Sequence, residues 1–332
     1  MKMKKLFAAI TAAAMMLSLS GCNSAEDKGS ADKKDGYTIG VIQFGSHPSL
    51  DNCYQGIENG LKASSLNYTI DRQDGNFDSA TCDSIAKNMA SKGYDLIFAI
   101  ATPAAVSAYS ATQNSQTPVI FTAVSDPVAA GIVQSLEAGS KNCIGTADIL
   151  DLEAQVDLIK ALQPDAKTIG VLYTTSEANS VSQLETLKAV AEAKGMTVEA
   201  QGVQNAADIP QAAATLASKV DCINNFTDNN VVNNLSVLLE KANAANVPVY
   251  GSEIEQVSNG CIASISIDYV ALGEKTAEMG IDVLGGSNPQ EMPVGTISGG
   301  TPVVNTDVLA QFGITLPDSY ADAEKVTTKT AE

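Results

Sequence analysis

The sequence predicts an α/β protein built as two doubly wound parallel-sheet lobes joined by hinge crossings, and two observations carry that prediction. Apolar runs of strand length alternate with longer helical stretches through most of the chain, the pattern of a parallel sheet covered by helices on both faces. The order of those runs then repeats. TIGVIQ at 38 is matched by TIGVLY at 168, NYTID at 67 by MTVEA at 196, ASKGYDLIFAI at 90 by ASKVDCINNF at 217, and TPVIFTA at 117 by VPVYGSE at 247. The offsets are 130, 129, 127 and 130 residues, so four landmarks recur in register and two copies of one lobe follow.

In the first copy, YTIGVIQ (37–43), YTIDRQ (68–73), LIFAI (96–100) and VIFTAV (119–124) read as strands, with helices over 49–66, 78–92 and 103–113 between them. After VSNGCIASISID (257–268) a helix carries Leu272, Thr276, Met279 and Val283 on one side, followed by the Gly- and Pro-rich EMPVGTISGGTPVVN and a last helical stretch at 306–312. These segments read as return crossings. The first lobe is expected over 37–150 plus 269–295, the second over 151–268 plus 300–320, and 321–332 as a flexible tail.

The N-terminus has Lys2, Lys4 and Lys5 followed by an uncharged apolar run from Leu6 to Leu19, the marks of an export signal over residues 1–22. That run is too short to span a bilayer. Leu19-Ser20-Gly21-Cys22 resembles the bacterial lipobox, in which the cysteine becomes the lipidated first residue, and the polar stretch 23–36 then reads as a flexible tether. The expected location is extracytoplasmic, anchored through lipid on Cys22.

The formal charge is −18, and removing the three leader lysines takes it to −21. So acidic a body repels nucleic acid, and a transcription regulator of similar lobes would need a basic DNA-binding segment where this chain has an export signal. Beyond Cys22 there are cysteines at 53, 82, 143, 222 and 261, with no CxxC spacing; one or two disulfides are open to them, and the odd count leaves a free thiol. A single histidine, His47, argues against a transition-metal site, and no cofactor is expected. No GxSxG, Walker, GxGxxG or HExxH motif is present, so the chain does not read as an enzyme.

Open parallel sheets bind ligands outside the carboxyl ends of their strands. Thr102 is placed there as a helix N-cap with Pro103 at the first helical position, so that the N–H groups of Ala104 and Ala105 and the helix dipole face a ligand carboxylate. Ser125-Asp126-Pro127 ends the next strand with a hydroxyl and a carboxylate. In the second copy Thr227-Asp228-Asn229 holds the place of Thr102, and Asp228, with Asp126 or Asp268, is the expected partner of an ammonium group. Each of these residues is also an ordinary cap. Ser46 and His47 follow the first strand, either as polar contacts or as a cap for the helix near Pro48. Phe44 and Tyr173 end the two matching strands, where they either sandwich a flat ligand part or plug each lobe's core.

QFGSHPSLD (43–51), ATPAA (101–105), AVSDPVAAGIV (123–133) and YGSEIEQVSNGCIASISIDYVALGEKTAEM (250–279) resemble the solute-binding lipoproteins of ABC transporters, tryptophan/tyrosine type, which adopt the type I periplasmic-binding-protein fold. The resemblance spans nearly all of residues 36–316. It implies a monomeric receptor that captures an amino acid, aromatic by preference, and delivers it to an ABC permease with a cytoplasmic ATPase. It also implies pocket roles for Ser46, Thr102, Ser125, Asp126, Thr227, Asp228 and Asp268. A solute-binding surface sensor, or a receptor for a sugar or nucleoside, uses the same clamp.

Overall fold

The computed structural model describes residues 36–297 and 300–329. The leader, Cys22 and the tether up to residue 35 lie outside the described residues.

The first lobe opens with β1 (Tyr37–Gln43), α1 (Pro48–Ala63), β2 (Tyr68–Asp74), α2 (Ser79–Ser91), β3 (Leu96–Ile100), α3 (Thr102–Thr112), β4 (Val119–Thr122) and β5 (Cys143–Ala147). The chain crosses over into α4 (Leu152–Leu162), β6 (Thr168–Thr174), α5 (Ala178–Ala193), β7 (Thr197–Val203), α6 (Ile209–Ala217), β8 (Cys222–Asn224), α7 (Asn229–Asn233), α8 (Leu235–Ala244), β9 (Val249–Tyr250), α9 (Ile254–Ser258) and β10 (Ala263–Ser266). It returns for α10 (Tyr269–Leu284) and β11 (Gly295–Thr296), then closes with β12 (Thr301–Asn305), α11 (Thr306–Phe312) and β13 (Glu324–Val326).

In the first lobe the strands lie in the order β11-β5-β4-β3-β1-β2, all parallel. The second has β7-β6-β8-β9, so β2-β1-β3-β4 and β7-β6-β8-β9 are one arrangement used twice, as the repeated landmarks require. β3 (LIFAI) is wholly buried because helices cover both faces of a parallel sheet. β2 (YTIDRQD) is only partly buried, and its charges suit a sheet edge. Gln155 of α4 knits the second lobe: its Nε2 donates to Asn224 Oδ1 and Gly251 O, both at 2.9 Å, and its Oε1 accepts from Ile265 N at 2.9 Å.

Three departures from the sequence expectations have clear causes. β5 was hidden, because its five residues (CIGTA) carry little strand signature; it is buried between β4 and β11. The tail expected from 321 is instead structured in part: β13 pairs in parallel with β12, and Lys329 N donates to Ser258 O at 2.8 Å. Otherwise β12 would expose an open edge. Thr102 is the first residue of α3 and not its cap. Ala101 takes that place at φ 79°, held to the sheet by its N–H to Thr122 O and accepting Ala105 N–H, each at 3.0 Å. All five cysteines beyond the leader are buried free thiols.

Helices α1 and α10 run side by side, and two glycines let their backbones touch. A Cβ on Gly56 would fall on Val270 O, and one on Gly273 on Cys53 O. Both obstacles are backbone, so neither helix can yield cheaply. Gly273→Ala is therefore expected to cost about 1–3 kcal/mol or more in urea denaturation, while Glu278→Ala, exposed on the same helix, should stay within ~0.5 kcal/mol.

Candidate functional site

The strand ends of both lobes face a common cleft. Hydrogen bonds cross it directly: His47 Nε2 lies 3.3 Å from Asn229 Oδ1, Ser125 Oγ is 3.4 Å from Thr227 Oγ1, and Ser182 Oγ donates to Asp126 Oδ2 at 2.5 Å. Inside this contact a narrow, partly open cavity of about 10 Å³, in this arrangement of the lobes room for roughly one water, is lined by residues of both lobes, among them His47, Ser49, Asp148, Asn179, Asn229 and Tyr269.

α1 begins at that cavity. Pro48, its first residue, has no N–H, and the N-cap His47 makes no capping bond with its side chain. The backbone N–H groups of Ser49 and Leu50, both cavity-lining, consequently have no acceptor among the described residues, and the positive end of a 16-residue helix faces the space.

Opposite in chemistry are the acceptors. Asp148, 2% exposed, follows β5; its Oδ2 accepts from Tyr269 Oη at 2.8 Å, while its Oδ1 has no partner. Burial pushes its carboxyl up to about 6, against the pull of the Tyr269 and Ser125 hydroxyls. Among the described residues no cation lies within ion-pair range of it. Asn179, near the start of α5, spends its amide nitrogen on Glu177 Oε2, Ser180 Oγ and Thr227 O, and its Oδ1 is likewise buried and unpaired. His47 Nδ1, Gln183 Oε1 and Thr102 Oγ1 complete this set of buried atoms without partners near the cleft.

Glu177 braces the second lobe's side of the cleft. It is buried beside Asp228 and accepts from Asn229 N (3.1 Å), Asn230 N (3.2 Å) and Asn229 Nδ2 (2.6 Å). Its carboxyl is held above the ordinary range, by burial first and by the Asp228 charge next.

Several expected site residues sit elsewhere. Asp228 is fully buried, but its carboxylate is saturated: Oδ2 accepts from Thr174 N (2.6 Å) and Ser180 Oγ (2.7 Å), Oδ1 from Thr174 Oγ1 (2.8 Å) and Val231 N (3.0 Å). This corrects its assignment to an ammonium group; it caps α7 and ties it to β6. Asp268 is exposed and caps α10 through Ala271 N (2.9 Å), leaving the cavity to its neighbour Tyr269. Ser46 is exposed and donates to Asp51 Oδ2 at 2.9 Å, so in the Ser46-His47 pair it is His47 that faces inward. Asp126 bonds Ala129 N and Ser182 at the cleft rim. Tyr173 packs against the core of its own lobe. Phe44, edge-on to Phe77, borders an interlobe hollow with Pro103, Thr174 and Asn230. Ser125 and Thr227 meet across the cleft, and Thr102 and Ala104 are buried at the α3 start.

Sequence reasoning missed Asp148, Asn179 and Tyr269. Asp148 follows a strand that the sequence concealed, and Asn179 differs in no local pattern from a surface helix start. Among the described residues no group of three or more His, Cys, Asp or Glu side chains could hold a metal ion.

The buried acids carry a pH signature. Asp148 at about 6 and Glu253, pushed by burial up to about 7, bind protons in the folded chain at pH values where the unfolded chain has lost them, and Glu177 acts in the same sense. Stability from these groups is present at low pH and is lost as pH rises through their folded values. His47, lowered by burial to about 4, works oppositely, but only below its unfolded value near 6.5. The ligand-free melting temperature should therefore fall between pH 6.5 and 8 in calorimetry, and Glu253→Gln should flatten that slope.

Comparisons with known proteins follow the same geometry. The model of the ABC transporter substrate binding protein family matches residues 38–327. A tyrosine-binding protein of Clostridioides difficile is 37% identical over 319 residues, 93% of this chain and 92% of its own. A Streptococcus pneumoniae ABC domain in complex with L-Trp is 38% identical with a TM-score of 0.85, covering 88% of this chain and 100% of that one. The ligand-free, open structure of a substrate-binding protein with adhesive properties from Clostridium difficile is 37% identical over the same shares, with a TM-score of 0.67. At near-equal identity the chain thus superimposes better on the L-Trp complex than on the open form. With its two-lobed α/β fold and family match over almost the whole described chain, the protein belongs to the ABC transporter substrate-binding proteins, extracytoplasmic receptors for small molecules.

Proposed function

We propose that the protein is a receptor of an ABC importer that closes its lobes on a single aromatic amino acid and presents it to a membrane permease, working as a monomer held to the membrane by lipid on Cys22. One observation carries the ligand class: a buried carboxylate with a free oxygen, Asp148, shares a narrow cavity with the unpaired N–H groups of the α1 start. A zwitterion answers both. Its ammonium pairs with Asp148 and Asn179, and its carboxylate takes the N–H groups of Ser49 and Leu50, with Thr102, Ala104 and Ser125 as further donors on the same sheet edge. The named ligands of the tyrosine-binding relative and of the L-Trp complex support an aromatic side chain. The better superposition on the L-Trp complex supports the lobes being described in their closed arrangement.

Isothermal titration of the lipid-free chain beginning at Asn23 is expected to show binding of L-Trp or L-Tyr. Asp148→Asn should weaken it by at least tenfold, about 1.4 kcal/mol. Asp228→Ala should instead lower the melting temperature, with much less effect on affinity, because that carboxylate serves α7 and β6. A panel in which sugars or nucleosides bind and amino acids do not removes the ligand assignment. Cell fractionation reads the anchor: Cys22→Ser should release the protein from the membrane fraction.

A further inference from the structure

His47 is 8% exposed, lies at the junction of β1 and α1, and has its ring nearly parallel to Phe77 with centroids 6.3 Å apart. Its proton can be placed from its partners. Both oxygens of Glu177 receive N–H donors, Oε1 from Asn230 N and Oε2 from Asn229 N and Asn179 Nδ2. In this donor-rich setting the side-chain nitrogen of Asn229 is the atom assigned 2.6 Å from Glu177, which turns its oxygen toward His47. Because that oxygen accepts, Nε2 of His47 carries the hydrogen. Burial holds the ring neutral, and a neutral imidazole with Nε2–H has a bare lone pair on Nδ1. That atom is buried in the residue that lines the cavity, and nothing among the described residues donates to it.

We propose that His47 is a specificity-determining residue, whose Nδ1 accepts a hydrogen bond from an N–H or O–H group of the bound molecule. The Glu177–Asn229 pair on the opposite lobe is the positioning element: it fixes the imidazole tautomer only when the lobes meet, so the acceptor is presented at closure. A site with a buried acceptor rejects an isostere that lacks the donor far more strongly than an apolar pocket rejects a change of shape. The inference rests on the reading of the cavity as an amino-acid site. The donor is either the α-ammonium or a ring N–H or O–H, and the two are separable by analogue.

The chain has one histidine, so selective ¹⁵N-imidazole labelling of the untagged protein gives an unambiguous NMR readout. At pH 7.5 the L-Trp complex should show a protonated Nε2 and an unprotonated Nδ1, with Nδ1 shifted from its ligand-free position toward the hydrogen-bonded range. Calorimetry with 3-benzothienyl-alanine, which has sulfur in place of the indole N–H, and with indole-3-propionate, which lacks the ammonium, then identifies the donor. The wild type should lose at least tenfold for the analogue missing it, and His47→Leu should markedly shrink that difference. Reduced discrimination against the sulfur analogue assigns the ring; reduced discrimination against the propionate assigns the ammonium. Nδ1 carrying the proton, or remaining unshifted in a complex that does form, overturns the proposal and leaves the amino-acid site standing, as does discrimination by His47→Leu unchanged for both analogues. A wild type that binds no amino acid overturns both readings. Should His47→Leu fail to fold, Asn229→Ala tests the same relay, since it removes the oxygen that holds the proton on Nε2 and the tautomer should become mixed.

Discussion

Asp148 is taken out of water with one oxygen bonded to Tyr269 and the other without a hydrogen-bond partner among the described residues, and much of the architecture bears on how that acceptor is held and what can satisfy it. A buried acceptor without a donor costs roughly 1–3 kcal/mol, more when it is charged. The cleft holds several of them. The protein supplies no cation there among the described residues, but it does supply donors of a different kind, the open end of α1. Donors and acceptors therefore coexist in one narrow space without meeting each other. Only a molecule carrying both signs closes that imbalance.

The placement of both sets is a packing problem solved by α1 and α10. The glycine contacts pair Cys53 with Gly273, Gly56 with Val270, and Gly60 with Ala277, so the two helices run parallel with their starts at the same end. The start of α1 presents Ser49 and Leu50; the start of α10 presents Tyr269, which holds Asp148. Asp148 lies just before the chain first leaves the first lobe and Tyr269 just after it comes back, so their bond also joins two of the crossings between lobes. A change in lobe disposition thus acts on segments that carry cavity residues, as hinge closure around a ligand requires.

The second lobe contributes a rigid face. Glu177, Asp228, Asn179 and Asn229 form a buried polar network in which backbone N–H groups and hydroxyls satisfy both carboxylates. Networks of this kind specify one geometry when complete. Here completeness fixes the orientation of Asn229, and through it the atom offered to His47 across the cleft.

By itself the sequence determined the fold and the edge on which the site lies. Strand-length apolar runs and a repeat of nearly constant spacing are local features with a fixed physical meaning, and they anticipate β1, β3 and the common strand order of the two lobes. Strand ends are where such sheets bind ligands, so Thr102, Ser125 and Thr227 were legible as neighbours of a cleft. Which polar groups were free was decided by tertiary structure alone. Asp228 and Asp148 look alike in a sequence, each a carboxylate beside a strand end; one meets four donors from its own lobe and the other chiefly a tyrosine brought from 121 residues away, with one oxygen left open. Hydrogen-bond satisfaction is a sum over partners distant in the chain, and no local pattern records it.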